Sequence, residues 1–276
     1  MEKSEQKINC SVGILTCNSE KYLARALDSV SRFREVVIAD GGSTDRTLEI
    51  AKKYGCRIIS QSHPGTPIAD FSVERNLTLD AATSDWFFYL DSDEVMSDAL
   101  SAAIGDITRR THHEYLVYRV RYEKTSPDVS VRYKTAKEYY QTRFFNKKSG
   151  ARFVKPMHER IAIPDHVPVG LIEAPWYVPL DTQLDFKTYQ RKIAYRIDIM
   201  AAHAQFRGIR HFLKLTYMIP ILEILKSSIK IVYLFFDGST HRIPTRYEVY
   251  RMYSQLYLMR AYTNAFFRRK NDVKHS

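Results

Sequence analysis

Four short apolar runs, each halted at its C-terminal end, constrain the fold of this chain more than any other feature. They are "INCSVGILT" (Ile8 to Thr16), "EVVIAD" (35–40), "CRIIS" (56–60) and "DWFFYLD" (85–91). Segments with helical spacing lie between them. In "SEKYLARALDSV" the residues Tyr22, Leu23, Ala26, Leu27 and Val30 share a face behind a candidate N-cap at Ser19. "GGSTDRTLEIAKKYG" reads as a turn, a helix and a terminal glycine, and "DFSVERNLTLDAAT" as a further helix. Strands buried on both faces read as continuous apolar runs, and helical crossovers must separate them when they are parallel. The pattern predicts a parallel, three-layer α/β sheet.

In open sheets of this kind ligands bind beyond the carboxyl ends of the strands. Here Thr16 closes the first run, Asp40 the second and Asp91 the fourth, and "FFYLDSDEVMS" crowds Asp91, Asp93 and Glu94 directly behind Phe87, Phe88, Tyr89 and Leu90. Like charges so close resist desolvation unless something compensates them, and a divalent cation or solvent would do so. If the strands are adjacent, their ends line one crevice. A carboxylate there could accept hydrogen bonds from a base or ribose, and Asp91 with Asp93 could hold a hard cation bridging phosphate oxygens. "GILTCNSE" has no GxGxxG glycines and the chain has no GxxxxGK[ST], which argues against a dinucleotide cofactor and a P-loop. An Asp-x-Asp alone is weak evidence. Such acids also precede helices, here Ser97–Arg110, and Asp40 could simply hold the glycine turn that follows it.

Beyond residue 112 the pattern changes. "EYLVYRVRYE" and "YYQTRFFNKK" read as strands, and 112–181 as a mixed, partly antiparallel extension of the same domain. From Thr182 onward the text is helical. Through Asp181 the chain carries 25 Lys and Arg against 25 Asp and Glu; from Thr182 it carries 17 against 6, so the whole net charge of +11 sits in the last third. A neutral body with a basic tail suggests an anionic partner, membrane surface or nucleic acid. In "PILEILKSSIKIVYLFF" (220–236) the polar Glu223, Lys226, Ser227 and Lys230 form one narrow stripe. Its uninterrupted apolar runs fall short of the ~20 residues a spanning helix needs, so an interfacial helix or a buried hairpin is expected. Tyr247, Tyr250, Tyr253 and Tyr257 recur at helical spacing beside Arg246, Arg251 and Arg260, a mixture that suits a lipid headgroup layer or a helix packed on the body. The same stripe could stack on bases, but the apolar 220–236 segment has no use there, so no nucleic-acid partner is expected. The polar start "MEKSEQKINC" lacks a signal peptide's apolar run, and Cys10, Cys17 and Cys56 are expected to be buried, reduced thiols.

The fragments "VGILTCNSEKYLARALDSV", "VVIADGGSTDRTLEIAKKYG", "ERNLTLDAATSDWFFYLDSDE" and "MHE" resemble, in order and spacing, the family 2 glycosyltransferases of GT-A fold. The nearest subgroup is the one that builds lipopolysaccharide core and related surface glycans. The resemblance covers Val12 to Glu159 and continues more loosely into "RHFLKLTYMIPILEILKSSIKIVYLFFDGSTH". It implies a Rossmann-like, mostly parallel central sheet flanked by helices, with a catalytic domain over 1–181 and a basic, amphipathic helical region over 182–276 that associates with membrane. It further implies an inverting, metal-dependent hexosyltransferase, cytoplasmic and peripheral at the inner face of the cell membrane. The donor would be a nucleotide sugar, UDP-linked, and the acceptor a glycolipid or polyprenyl-linked glycan. Thr16 would lie against the nucleoside and Asp40 against the base, the family's usual next acid being Gly41 here. Arg75 would approach the uracil or diphosphate, Asp91 the ribose side, and Asp93 the divalent metal, Mg²⁺ or Mn²⁺, with Asp91 and His158 as further metal candidates and Glu94 shaping the loop. Glu159 would be the general base and His158 a phosphate or metal contact. No role follows for His63, and Arg143 could meet phosphate or an internal carboxylate. A catalytically silent membrane-surface protein of the same fold is the alternative.

Overall fold

The computed structural model describes residues 7–133, 139–156, 160–180, 185–236 and 243–272. Strand β1 (Ile8–Thr16) is buried at every position but one, as an apolar run flanked on both faces must be. The chain then alternates through α1 (Glu20–Ser29), β2 (Phe33–Asp40), α2 (Thr47–Lys53), β3 (Arg57–Ser60), α3 (Phe71–Ala81) and β4 (Trp86–Asp91). Next come β5 (Val95–Met96), α4 (Asp98–Arg109), β6 (Val117–Thr125), β7 (Tyr139–Asn146), β8 (Arg152–Val154), β9 (Arg160–Ala162) and β10 (Val169–Pro179). Eight of these strands form one sheet in the order β3-β2-β1-β4-β7-β6-β10-β5. The first four are mutually parallel, β7 runs antiparallel to both β4 and β6, and β10 returns parallel to β6. The expected α/β architecture is therefore present, with the 112–181 stretch extending the same sheet and β8–β9 forming a separate hairpin.

Strand periodicity sorts β4 into two cores. Trp86, Phe88 and Leu90 face one side and pack with Leu23 and Leu27 of α1 and Leu100 and Ile104 of α4. Phe87 and Tyr89 face the other, with Leu79 of α3, Phe145 and Phe153. Removing one such side chain from water is worth roughly 1.5–3 kcal/mol, so this strand alone anchors both faces. Packing on the second face is tight enough to require a glycine. A Cβ on Gly13 would lie 2.4 Å from the Phe87 ring and 2.6 Å from Thr78 Oγ1.

Two expectations are corrected. Ser19 occupies the N-cap position of α1, but its hydroxyl makes no cap bond and sits 3.1 Å from that of Ser92 instead. Of the cysteines, Cys10 is buried, Cys56 is partly so, and Cys17 is exposed because it stands just beyond the end of β1.

The chain divides into two compact units, one of residues 1–132 and 136–180, the other of 133–135 and 181–276. The second unit contains α5 (Phe186–Ala202), α6 (Ile209–Leu213), a π-helical turn (Lys214–Met218), α7 (Ile219–Phe236) and α8 (Arg246–Asp272). The tyrosine stripe of α8 is used inside this unit. Tyr250 stacks on Tyr189 at 4.6 Å, Tyr253 meets Phe186, and Tyr257 donates to Asp198 at 3.2 Å. These contacts fasten α8 to α5, so of the two uses expected for the stripe the packed helix is the one its side chains display. Among the described residues no helix is long and apolar enough to cross a membrane.

Candidate active site

Parallel register sets Thr16 beside Asp40 and Leu15 beside Asp91, so the ends of β2, β1 and β4 meet at one edge of the sheet. At the first corner the buried Asp40 carboxylate organises its own turn. Oδ1 accepts from Thr16 Oγ1 at 2.8 Å and Ser43 Oγ at 2.6 Å, and Oδ2 accepts from the backbone N–H groups of Gly42 at 2.9 Å and Ser43 at 2.8 Å. A carboxylate offers about four accepting positions, and these four bonds fill them. Asp40 thus holds the glycine turn, and a base edge would have to take the place of the Ser43 hydroxyl. Gly42 has φ +86°, and a Cβ there would lie 2.8 Å from the Gly65 nitrogen.

Any side chain at position 41 would press on Gln61. A Cβ on Gly41 would lie 2.9 Å from Oε1 of Gln61, a buried residue whose Nε2 donates to the carbonyls of Thr16 (3.2 Å) and Ala39 (3.0 Å). Gln61 thereby ties the ends of β1 and β2 together from the end of β3. Sequence reasoning missed it, since a lone glutamine after a short strand carries no distinguishing pattern.

At the second corner the acids close a tight turn. Glu94 N–H donates to the Asp91 carbonyl and Asp91 N–H to Glu94 Oε2, both at 3.0 Å. Two buried guanidinium groups answer the crowded charges. Arg75 donates to Asp91 Oδ1 and, at 3.3 Å, to the Leu90 carbonyl. Arg143, reaching over from β7, forks onto Glu94 at 2.8 and 3.1 Å and lies 4.2 Å from the Tyr89 ring and 4.5 Å from that of Trp176. Of the two partners open to Arg143, it meets the internal carboxylate. Burial pushes the Glu94 carboxyl up, to about 7; Arg143 pulls against this, and Asp91 and Asp93 push with it. Burial works to lower Arg143, yet Glu94, Tyr89 and Asp91 hold its pKa above the ordinary value. A carboxyl so displaced at a strand end marks a functional-site candidate.

The "ERN" triplet supplies three anchors at once, because consecutive helical residues point about 100° apart. Glu74 accepts from Ser62 N–H at 3.0 Å, Arg75 holds Asp91, and Asn76 exchanges two bonds with Phe153 of β8 at 3.0 and 3.1 Å. One turn of α3 thus fixes the loop after β3, the end of β4 and the start of the β8–β9 hairpin. His158 and Glu159 lie outside the described residues, between β8 and β9 in sequence.

Asp93 stands exposed on the turn, its carbonyl accepting from Arg25 at 3.3 Å, and the Asp91 side chain is 43% exposed. Among the described residues no three His, Cys, Asp or Glu side chains are grouped to hold a metal ion. Two accessible carboxylates are nevertheless the donor set that suits Mg²⁺ or Mn²⁺ when phosphate oxygens and water complete the shell. The residues therefore fit a cation carried with a diphosphate better than a resident one.

Residues 11–163 match the family described as Glycosyl transferase family 2. Among curated proteins, an uncharacterised glycosyltransferase of Rickettsia typhi is 31% identical over 40% of this chain and 37% of its own length. The lipopolysaccharide core biosynthesis glycosyltransferase LpsC of Rhizobium meliloti is 29% identical over 37% of each. The chain thus spans less than two-fifths of the length of these relatives. Among solved structures, S. aureus TarS 1-349 in complex with UDP-GlcNAc aligns at TM-score 0.47 and 17% identity, covering 95% of this chain and 92% of that one. Glucosyl-3-phosphoglycerate synthase from Mycobacterium tuberculosis, in complex with Mn²⁺, UDP-glucose and phosphoglyceric acid, aligns at TM-score 0.34 and 25% identity over 41% of this chain and 43% of that one.

Proposed function

The chain belongs to glycosyl transferase family 2, and on that premise we propose that it is an inverting hexosyltransferase. Its donor is a UDP-linked sugar and its acceptor a glycolipid or polyprenyl-linked glycan at the cytoplasmic face of the cell membrane. The observation that carries the reading is the alignment of Thr16, Asp40 and Asp91 at adjacent strand ends, with Asp93 exposed beside them. The name of the LpsC relative supports a surface-glycan acceptor.

Each residue contributes in a definite way. Thr16 and the Asp40 turn offer a rigid edge for the nucleoside, while Arg75 holds Asp91 in one orientation toward the ribose. Arg143 and Glu94 fix the turn that carries Asp93. A divalent cation on Asp93, with Asp91 or His158 as further ligands, would neutralise charge on the departing nucleoside diphosphate. Inversion needs one carboxylate to take the acceptor hydroxyl's proton as the oxygen attacks C1, and Glu159 is assigned that role, with His158 beside it at the phosphates.

Calorimetric titration of UDP, with and without Mn²⁺, tests the donor site. Wild type is expected to bind UDP only with the cation, and Asp93→Ala to lose that binding while its unfolding curve stays unchanged, because the side chain is exposed. Equal UDP binding by the variant would refute the assignment of Asp93. Glu159→Gln should keep UDP binding and lose sugar transfer.

A further inference from the structure

Helix α7 is inside out. Its buried residues Pro220, Ser227 and Leu234 recur every seventh position, and the polar Ser227 and Lys230 turn toward α8 on that inner side, while Lys226 stands exposed at its margin. Ser227 Oγ donates to Glu248 Oε2 of α8 at 3.0 Å, Lys230 Nζ donates to Glu248 Oε1 at 2.5 Å, and the Glu248 side chain is only 4% exposed. The opposite side carries Leu222, Leu225, Ile229, Val232, Tyr233 and Phe236, all exposed, with Ile229 at 70% and Phe236 at 80%. At about 100° per residue these six fall within an arc of about 100° centred opposite Ser227. Helices of water-soluble proteins turn their apolar stripe inward. Scattered surface leucines need no explanation, but a continuous apolar face about four turns long does.

We infer that this face of α7 is the surface by which the protein lies on an anionic lipid bilayer, the helix in the plane of the interface. Charge selects the occupant. From Arg207 to Phe236, five Lys and Arg stand against the single acid Glu223, and Arg210, Lys214 and Lys226 are exposed. Basic side chains beside an apolar face meet both demands of an acidic leaflet, whereas two copies of so basic a segment would repel each other. The apolar side chains enter the acyl boundary, while Glu248 satisfies Ser227 and Lys230 from below and Lys226 pairs with Glu223 at the margin. The inference rests on the reading of a membrane-held acceptor given above and adds the surface that reading needs. Its physical grounds lie wholly within the second unit.

The test is flotation of the full chain with vesicles of phosphatidylcholine alone or with a quarter phosphatidylglycerol, without donor or metal. Wild type is expected to float with the anionic vesicles, and rising salt should weaken but not abolish this. Ile229→Glu with Val232→Glu should lower partition roughly tenfold or more; both positions are exposed, so the unfolding temperature should stay the same. If that variant misfolds, Ile229→Ser with Val232→Ser should still lower partition while leaving the circular dichroism spectrum intact. Undiminished flotation of folded variants would overturn the proposal. So would a wild type that ignores both vesicles, or one that sediments as a dimer which the variants dissociate, for then a second copy covers the face. Because neither donor nor metal is present, failure here is separate from failure of UDP binding.

Discussion

Two buried glutamates anchor the two units of this chain, and they are held in opposite ways. Glu94 closes the turn after β4, where burial and two neighbouring aspartates push its carboxyl up to about 7 against the pull of Arg143. Glu248 sits between α7 and α8, where burial is outweighed by Lys230, Arg251 and Ser227, and its carboxyl is lowered. Both have a basic partner within 3 Å. What differs is the company: Glu94 shares its corner with like charges, while Glu248 has only donors. A structural ion pair is arranged to relieve its charge. The strand-end pair instead carries like charges that it does not relieve, the arrangement that marks a functional-site candidate.

The sharpest way to break this comparison is at Arg143. Arg143→Met should leave Glu94 buried without its cation and, above about pH 7 where the paired carboxyl is ionised, destabilise the protein by up to about 3–5 kcal/mol, the cost typical of halving a buried pair. Urea unfolding measures it. Adding Glu94→Gln to that variant should restore a large part of the loss, since the charge left behind is what costs most. A variant Arg143→Met as stable as wild type would mean that the guanidinium is not the compensating charge at this corner.

The next effect is smaller and concerns sign. A carboxyl raised in the folded state keeps a proton that the unfolded chain releases above its ordinary value of 4.5. The stability contributed by Glu94 is therefore present below that value and is lost as pH rises toward and through about 7. The lowered Glu248 works the other way, contributing above 4.5 and losing its contribution as pH falls through its folded value. Denaturant unfolding at a series of pH values, in chelator so that no cation contributes, should show Glu94→Gln flattening the neutral limb and Glu248→Gln the acid limb. Slopes altered on the same limb by both variants would erase the distinction.

The contrast also explains what could be read from sequence. Strands β1 to β4 were legible because burial on both faces leaves an apolar run with no polar interruption, and Asp40 and Asp91 were legible as the residues that end such runs. Arg143 could be singled out but its choice between phosphate and an internal carboxylate could not be read, because it meets Glu94 only through the antiparallel register of β7 on β4, 49 residues away. Nor was Gln61 legible, for its role lies in bonds to the carbonyls of Thr16 and Ala39 on two other strands. The two-residue β5 is too short for any periodicity. The polar stripe of α7 was visible, but amphipathicity does not say which side faces in, and here Glu248 of another helix decides it.

Tyr257 offers the gentlest test, and it separates two uses of one pattern. Tyrosine beside arginine at helical spacing fits a lipid headgroup layer and a packed helix equally well. Here the Tyr257 hydroxyl donates to the Asp198 carboxylate at 3.2 Å, and that carboxylate in turn raises the phenol's pKa, second only to burial. Tyr257→Phe keeps the ring and removes the donor, so it should cost about 1 kcal/mol of stability, a typical net worth for such a bond. It should leave flotation with anionic vesicles unchanged, because lipid contact belongs to α7. The reverse outcome, with stability intact and flotation weakened, would move the membrane surface from α7 to α8.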